Sequence, residues 1–160
     1  MIGNDVVDLI LAQKESNWQR KGYLDKIFTK KEQIIIQKSE NQEIVIWDFW
    51  SRKEAAYKIW NRKSNIRKYN PIRFECSNLN LEIGRVRFES LIYYTKTQIT
   101  KDFIHTIAVS NKEDFSKIKT FKNSFTIKKL NGFPFYSNIN QQNQYISKSQ
   151  HGRFEFIIGL

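Results

Sequence analysis

The sequence predicts an α+β fold in which an antiparallel sheet packs against one long helix and several short ones. Helical periodicity is confined to the first 62 residues, whereas from Ile72 onward β-branched and aromatic runs take over. Helices first and strands afterwards is the order of segregated, not alternating, α and β structure. Composition agrees: 40% hydrophobic and 14% aromatic residues, with only two prolines and six glycines, describe a folded chain without long linkers. At 160 residues there is enough mass for one core, so residues 1–160 are read as a single domain.

The elements follow in order. Ile2, Val6, Val7 and Leu9 around two acids read as a short, mostly buried strand. Residues 16–23 and 29–39 read as short helices, the second opening with Thr29 and Glu32 at capping-box spacing. Residues 41–62 carry an apolar stripe of Ile44, Trp47, Trp50, Ala55 and Tyr57 and form the strongest helical segment. Asn70-Pro71 ends that region, since the residue before proline resists helical geometry. Strands are expected at Ile72–Cys76, Leu81–Phe88, Leu91–Thr97 and Phe103–Ser110, with turns or bulges at Asn78, Gly84 and Lys101-Asp102. Asn111–Lys119 reads as a loop or short helix. Thr120–Leu130, an Asn131-Gly132 turn and a last strand over Tyr145–Ile158 complete the chain.

Charge and motif content narrow the function. Lys and Arg number 27 against 16 Asp and Glu, a formal +11, which points to a polyanionic partner without choosing among nucleic acid, membrane surface, phosphorylated small molecule or acidic protein. The opening residues read as neither signal peptide nor presequence, and no apolar run is long enough to span a bilayer. Cys76 is the single cysteine, and His105 and His151 lie far apart, so neither a disulfide framework nor a zinc-ligand spacing is present. A soluble, cytoplasmic protein without membrane attachment is expected.

Three segments carry chemistry. Ile2-Gly3-Asn4-Asp5-Val6-Val7-Asp8 places acids in an apolar strand, which is costly unless they are paired or bound to a cation; the plainer account makes Asp5 a turn or helix cap. Trp50-Ser51-Arg52-Lys53-Glu54-Ala55-Ala56-Tyr57-Lys58 puts Glu54 and Lys58 at i, i+4 on one helical face. That pair alone is worth roughly a few tenths of a kcal/mol, but the flanking Trp47, Phe49, Trp50, Tyr57 and Trp60 mark the face as partly dry. Ser147-Lys148-Ser149-Gln150-His151-Gly152-Arg153-Phe154 gathers hydroxyls, imidazole and guanidinium in a donor cluster suited to phosphate; an ordinary polar strand end is the alternative.

Ile-Gly-Asn-Asp near the start and Trp-Ser-x-Lys-Glu-Ala-x-x-Lys some 45 residues later resemble the two signature motifs of the 4′-phosphopantetheinyl transferase superfamily. The later Ser-x-Ser-x-His-Gly-Arg-Phe resembles a third family segment, and Phe28-Thr29 before Glu32 and Pro71-x-x-Phe74 fall in the same order. The resemblance implies the family fold and magnesium-dependent transfer of the phosphopantetheine arm of coenzyme A to a serine of an acyl or peptidyl carrier protein, releasing 3′,5′-ADP. It further implies Asp5, Glu54 and Asp8 as metal-binding carboxylates, the Asp5–Asp8 spacing following the small holo-synthase type. Glu54 and Lys58 would be catalytic, Lys58 serving the leaving nucleotide. Lys53, Ser149, Gln150, His151 and Arg153 would bind coenzyme A, and Lys14, Arg20 and Lys21 the acidic carrier, with Arg62, Lys63, Arg67 and Lys68 a second basic cluster.

Two departures stand out: Gln150 where the family has its first histidine, and Asn61–Asn65 in place of a glycine-rich turn. A relative that binds coenzyme A or a carrier without catalysis, and a basic nucleic-acid-binding domain, are the competing readings; the latter leaves Asp5, Asp8 and Glu54 without purpose. The single motif set also implies a homo-oligomer whose site a neighbour completes. Whether the carrier serves fatty-acid, polyketide or peptide synthesis stays open.

Overall fold

A computed structural model describes residues 1–80, 82–121, 127–130, 132–137 and 143–160. Strand β1 (Ile2–Asp8) leads directly into α1 (Leu9–Glu15); α2 (Tyr23–Ile27), α3 (Lys30–Lys38) and the long α4 (Gln42–Ser64) follow. After a 3-10 turn at Pro71–Arg73 come β2 (Glu75–Asn78), β3 (Ile83–Phe88), β4 (Leu91–Ile99) and β5 (Phe103–Val109). A second 3-10 turn, Lys112–Lys117, precedes β6 (Lys119–Phe121), β7 (Lys128–Leu130), β8 (Phe133–Ser137), β9 (Asn143–His151) and β10 (Phe154–Gly159). Among the described residues two antiparallel five-stranded sheets result, ordered β1-β5-β4-β3-β2 and β6-β10-β9-β8-β7.

Helix α4 lies across the first sheet, chiefly against β1 and β5. Its Ile46, Trp47, Phe49, Ala55, Ala56 and Ile59 are buried against Val7, Phe74, Val86, Phe88, Ile104 and Ala108, each large apolar side chain contributing roughly 1.5–3 kcal/mol by leaving water. Asn41 caps the helix through Ile44 N, and Asn65 ends it in the left-handed conformation (φ 57°). The capping box expected at α3 is present, with Thr29 and Glu32 bonding reciprocally.

Glycine at position 3 has a geometric cause. A Cβ there would stand 2.1 Å from the Ala55 carbonyl oxygen, so only glycine lets β1 lie this close to α4. That approach sets the first two motifs side by side.

The two sheets meet along β1. The side of β1 away from β5 is met by side chains of β9: the Asn4 N–H donates to Ser147 Oγ at 2.8 Å and the Asp8 N–H to His151 Nδ1 at 2.8 Å. Exposed strand edges are normally paired or blocked, and here Ser147 and His151 of β9 supply the block.

Several expectations are corrected. No helix covers 16–23; α1 starts at once after β1 because Asp8 accepts from the Ile10 and Leu11 N–H groups as its N-cap, and residues 16–22 form turns. The run over Tyr145–Ile158 is not one strand but the β9–β10 hairpin, folded at a Gly152-Arg153 loop in which Gly152 takes φ +52°. Strand β8 has no counterpart among the expected elements. Gly84 lies inside β3 and is no turn. Asn131 of the expected turn, and part of Thr120–Leu130, fall outside the described residues.

Candidate active site

Three of the expected side chains converge where β1 crosses α4. Lys58 Nζ donates to the Asn4 carbonyl at 2.6 Å and lies 3.2 Å from Asp5 Oδ1. Glu54, one turn earlier on α4, shares a cleft of about 310 Å³ with Asp5. Trp47 and Trp50 form an apolar wall of that cleft, and Gln150 and His151 reach it from the end of β9.

The electrostatics are those of two crowded acids. Burial, and then the neighbouring Asp5 charge, push the Glu54 carboxyl up to about 7, with Lys58 opposing. Asp5 is also raised by burial, again against the pull of Lys58 and a hydrogen bond from Ser51. A carboxyl poised near neutrality in a cleft can take a proton from a hydroxyl. Two repelling carboxylates are also a natural seat for a hard divalent cation.

The donor set there is smaller than the three acids expected. Asp8 is 2% exposed, and both its oxygens are occupied. Oδ1 accepts from Ile10 N, Leu11 N and Arg153 Nη2 (3.0 Å), and Oδ2 from Arg153 N and Nε (3.1 and 2.9 Å). Its pKa is held far below the carboxylate range, chiefly by the Arg153 hydrogen bonds. Asp8 is therefore no ready metal ligand, and Arg153 is already matched with an anion. Among the described residues no group of three or more His, Cys, Asp and Glu could hold a metal ion. The fit is to a cation bound by Asp5 and Glu54 alone, with the remaining positions open to water and phosphate oxygens; magnesium accepts such a set.

Lys53 is also relocated. It is 0% exposed, its ammonium donating to Glu32 Oε2 (2.8 Å), the Phe74 carbonyl (2.6 Å) and the Pro71 carbonyl (3.1 Å). The other Glu32 oxygen accepts from Cys76 N. The pair ties α3, α4 and β2 together inside the core, so Lys53 is a structural cation and does not face the cleft. Its neighbour Arg52, equally buried, bonds Asp48 and Thr95.

Ser149 is buried at 4%, with no hydrogen-bond partner for its Oγ among the described residues. Ser147 is engaged by β1. Of the third segment, only Gln150 and His151 line the cleft. Lys14, at the end of α1, and Arg20 and Lys21, in the following turns, are exposed. Ser16 lines both the cleft and an adjoining polar hollow with Lys14, so Lys14 stands next to the cleft.

Asn4 went unassigned from sequence although it shapes the site. Its side-chain amide donates to the Phe156 carbonyl and faces His105 Nε2, both at 3.2 Å. His105 is 7% exposed, stacks on Phe156, and is lowered to about 4 by burial and then by Lys58. It is a neutral packing residue. The tryptophan wall was visible only as aromatic density around Glu54.

Residues 1–110 match the family described as the 4′-phosphopantetheinyl transferase superfamily. No curated protein matches the chain. Among solved structures it is similar to apo-ACPS of Chronobacterium ammoiniagenes, at TM-score 0.53 and 14% identity over 68% of this chain and 93% of that one. It is also similar to the Helicobacter pylori holo-[acyl-carrier-protein] synthase in complex with coenzyme A, at TM-score 0.53 and 13% identity over 69% and 100%. The Thermotoga maritima holo-[acyl-carrier-protein] synthase aligns at TM-score 0.50 and 12% identity over 80% and 76%. At these identities the likeness is one of fold. The second sheet, from Lys119 on, lies beyond the residues matched to the family.

Proposed function

This chain belongs to the 4′-phosphopantetheinyl transferase superfamily, and from that premise we propose that it moves the phosphopantetheine arm of coenzyme A onto a serine of an acyl or peptidyl carrier protein, in the manner of a holo-synthase. The observation that supports this most is that Asp5 shares a cleft with Glu54 and an ion pair with Lys58, residues 49 and 53 positions later in the sequence. The Helicobacter pylori relative is described as a complex with coenzyme A, and we extend that ligand to this chain.

Asp5 and Glu54 would hold the magnesium ion. When bound it would supply charge neutralisation for the substrate pyrophosphate. The chain's own groups do the rest. Glu54 accepts the proton of the carrier serine, whose oxygen attacks the phosphorus bearing the pantetheine arm. The bond to the other phosphate breaks, and 3′,5′-ADP leaves with its developing charge beside the Lys58 ammonium. Gln150 and His151 offer hydrogen bonds to phosphate from the opposite wall. The apolar Trp47 and Trp50 wall suits the pantetheine arm and keeps water from the reacting phosphorus.

An acidic carrier would dock on the surface of Lys14, Arg20 and Lys21. We place the enzyme in the cytoplasm, acting as a single domain, with assembly into a homo-oligomer a further part of this reading. No helix among the described residues is long and apolar enough to cross a membrane.

The test is incubation with coenzyme A, magnesium and apo carrier proteins, followed by mass spectrometry of the carrier. A gain of one phosphopantetheine is expected with wild type, and none with Asp5→Ala or Glu54→Ala, both folded. Near wild-type turnover in either variant would overturn the assignment.

A further inference from the structure

Asp8 lies beside the cleft yet is not free to bind a cation, and its contacts describe another role. Its carboxylate takes both a backbone and a forked side-chain bond from Arg153. Gly152, at the first loop position, presses so closely on it that a Cβ there would stand 2.5 Å from Asp8 Oδ2. The whole β9–β10 loop is thus seated on one carboxylate. Asp8 acts at a second atom as well: its backbone N–H donates to His151 Nδ1. A backbone N–H can only donate, so Nδ1 presents its lone pair, and the ring proton belongs on Nε2. That nitrogen lies 3.7 Å from Glu15 Oε2, on the side of the cleft formed by α1.

We propose that Asp8 is a positioning residue, which locks the Gly152-Arg153 loop with its carboxylate and fixes His151 with its N–H as an Nε2–H donor for a phosphate oxygen of the substrate. The inference rests on the transferase reading for the identity of the phosphate, but not for the lock itself. It also accounts for the spacing of the third motif. Ser147, Ser149 and His151 alternate along one face of β9 toward the edge of β1, which places the imidazole at Asp8. Gln150, on the other face, is left exposed at the cleft.

Asp8→Asn keeps a cap for α1 while removing the anion that Arg153 grips; Arg153→Met breaks the same lock from its half-exposed side, where loss of the fold is least expected. Each variant should raise the KM for coenzyme A about tenfold, in line with losing hydrogen bonds between charged groups. Each should leave kcat and the magnesium concentration for half-maximal activity within about twofold of wild type. The double variant should be no worse than either single one, because both break one contact. Independently of activity, long-range 15N spectra should show His151 as the Nε2–H tautomer in wild type and a mixture in both variants. A sharply raised magnesium requirement in Asp8→Asn but not in Arg153→Met would make Asp8 a ligand and overturn the proposal, as would additive losses. An unchanged His151 spectrum in both variants would overturn it too. If wild type transfers nothing to any carrier, the transferase reading fails, while the His151 spectra still decide the lock.

Discussion

Replacing Glu54 with glutamine should stabilise the metal-free protein while ending its activity. The raised Glu54 pKa, about 7 against an ordinary 4.5, means that the folded state holds this proton more tightly than the unfolded chain does. The sign follows: between these values the folded state binds more protons, so stability falls as pH rises, and the loss is complete above about pH 7. The shift corresponds to roughly 3 kcal/mol at full ionisation. Glu54→Gln cannot ionise, so its advantage over wild type should be absent below about pH 4.5 and grow to a few kcal/mol near pH 8. For a chain of this size that is a rise in Tm of roughly 5–10 °C. Thermal unfolding followed by circular dichroism in chelator, across that pH range, measures it. Magnesium should then raise the Tm of wild type at the alkaline end and leave the variant unmoved, since a ligand stabilises only the state that binds it. A Tm difference between the two proteins that does not change with pH would refute the argument.

Other substitutions separate the remaining roles. Lys58→Ala should lower kcat for transfer by roughly 100-fold or more while changing coenzyme A affinity little, because the ammonium acts on charge that develops only as the nucleotide leaves; titration calorimetry beside steady-state kinetics distinguishes this from simple binding. Glu32→Gln strands the Lys53 ammonium in the core and should cost about 3–5 kcal/mol in urea unfolding. Charge reversal at Lys14, Arg20 and Lys21 together should slow association with an acidic carrier and flatten its dependence on ionic strength, leaving coenzyme A affinity unchanged, as measured by stopped-flow mixing.

How much of this was legible in the sequence depends on the range of the interaction that decides it. The capping box at Thr29 and Glu32 and the long helix carrying Glu54 and Lys58 are local patterns, and they were read correctly. So was the meeting of Asp5 with that helix, through motif resemblance rather than spacing. What failed turned on distant partners. Lys53 and Lys58 look alike on the page, yet a half-turn of helix sends the first to Glu32 in the core and the second to Asp5 at the cleft. Asp8 reads as a third ligand until Arg153, 145 residues later, is placed against it. The start of α1 is the exception, a local contact: Asp8 caps the helix through Ile10 and Leu11, but in the motif it reads as a ligand. Ser149 offered a hydroxyl whose burial at the β1–β9 seam no local pattern reveals.

The missing side chain at Gly3 has a consequence for how this site tolerates change. The separation of the two motif segments is set where main chain rests on main chain, Gly3 against the Ala55 carbonyl, two residues from Asp5 and one from Glu54. A substitution elsewhere in the core can loosen packing and lower stability without altering that span. The distance between the two carboxylates is in effect a dimension of the backbone, so drift in the surrounding apolar residues leaves the reaction geometry intact, whereas a single methyl group at position 3 would not.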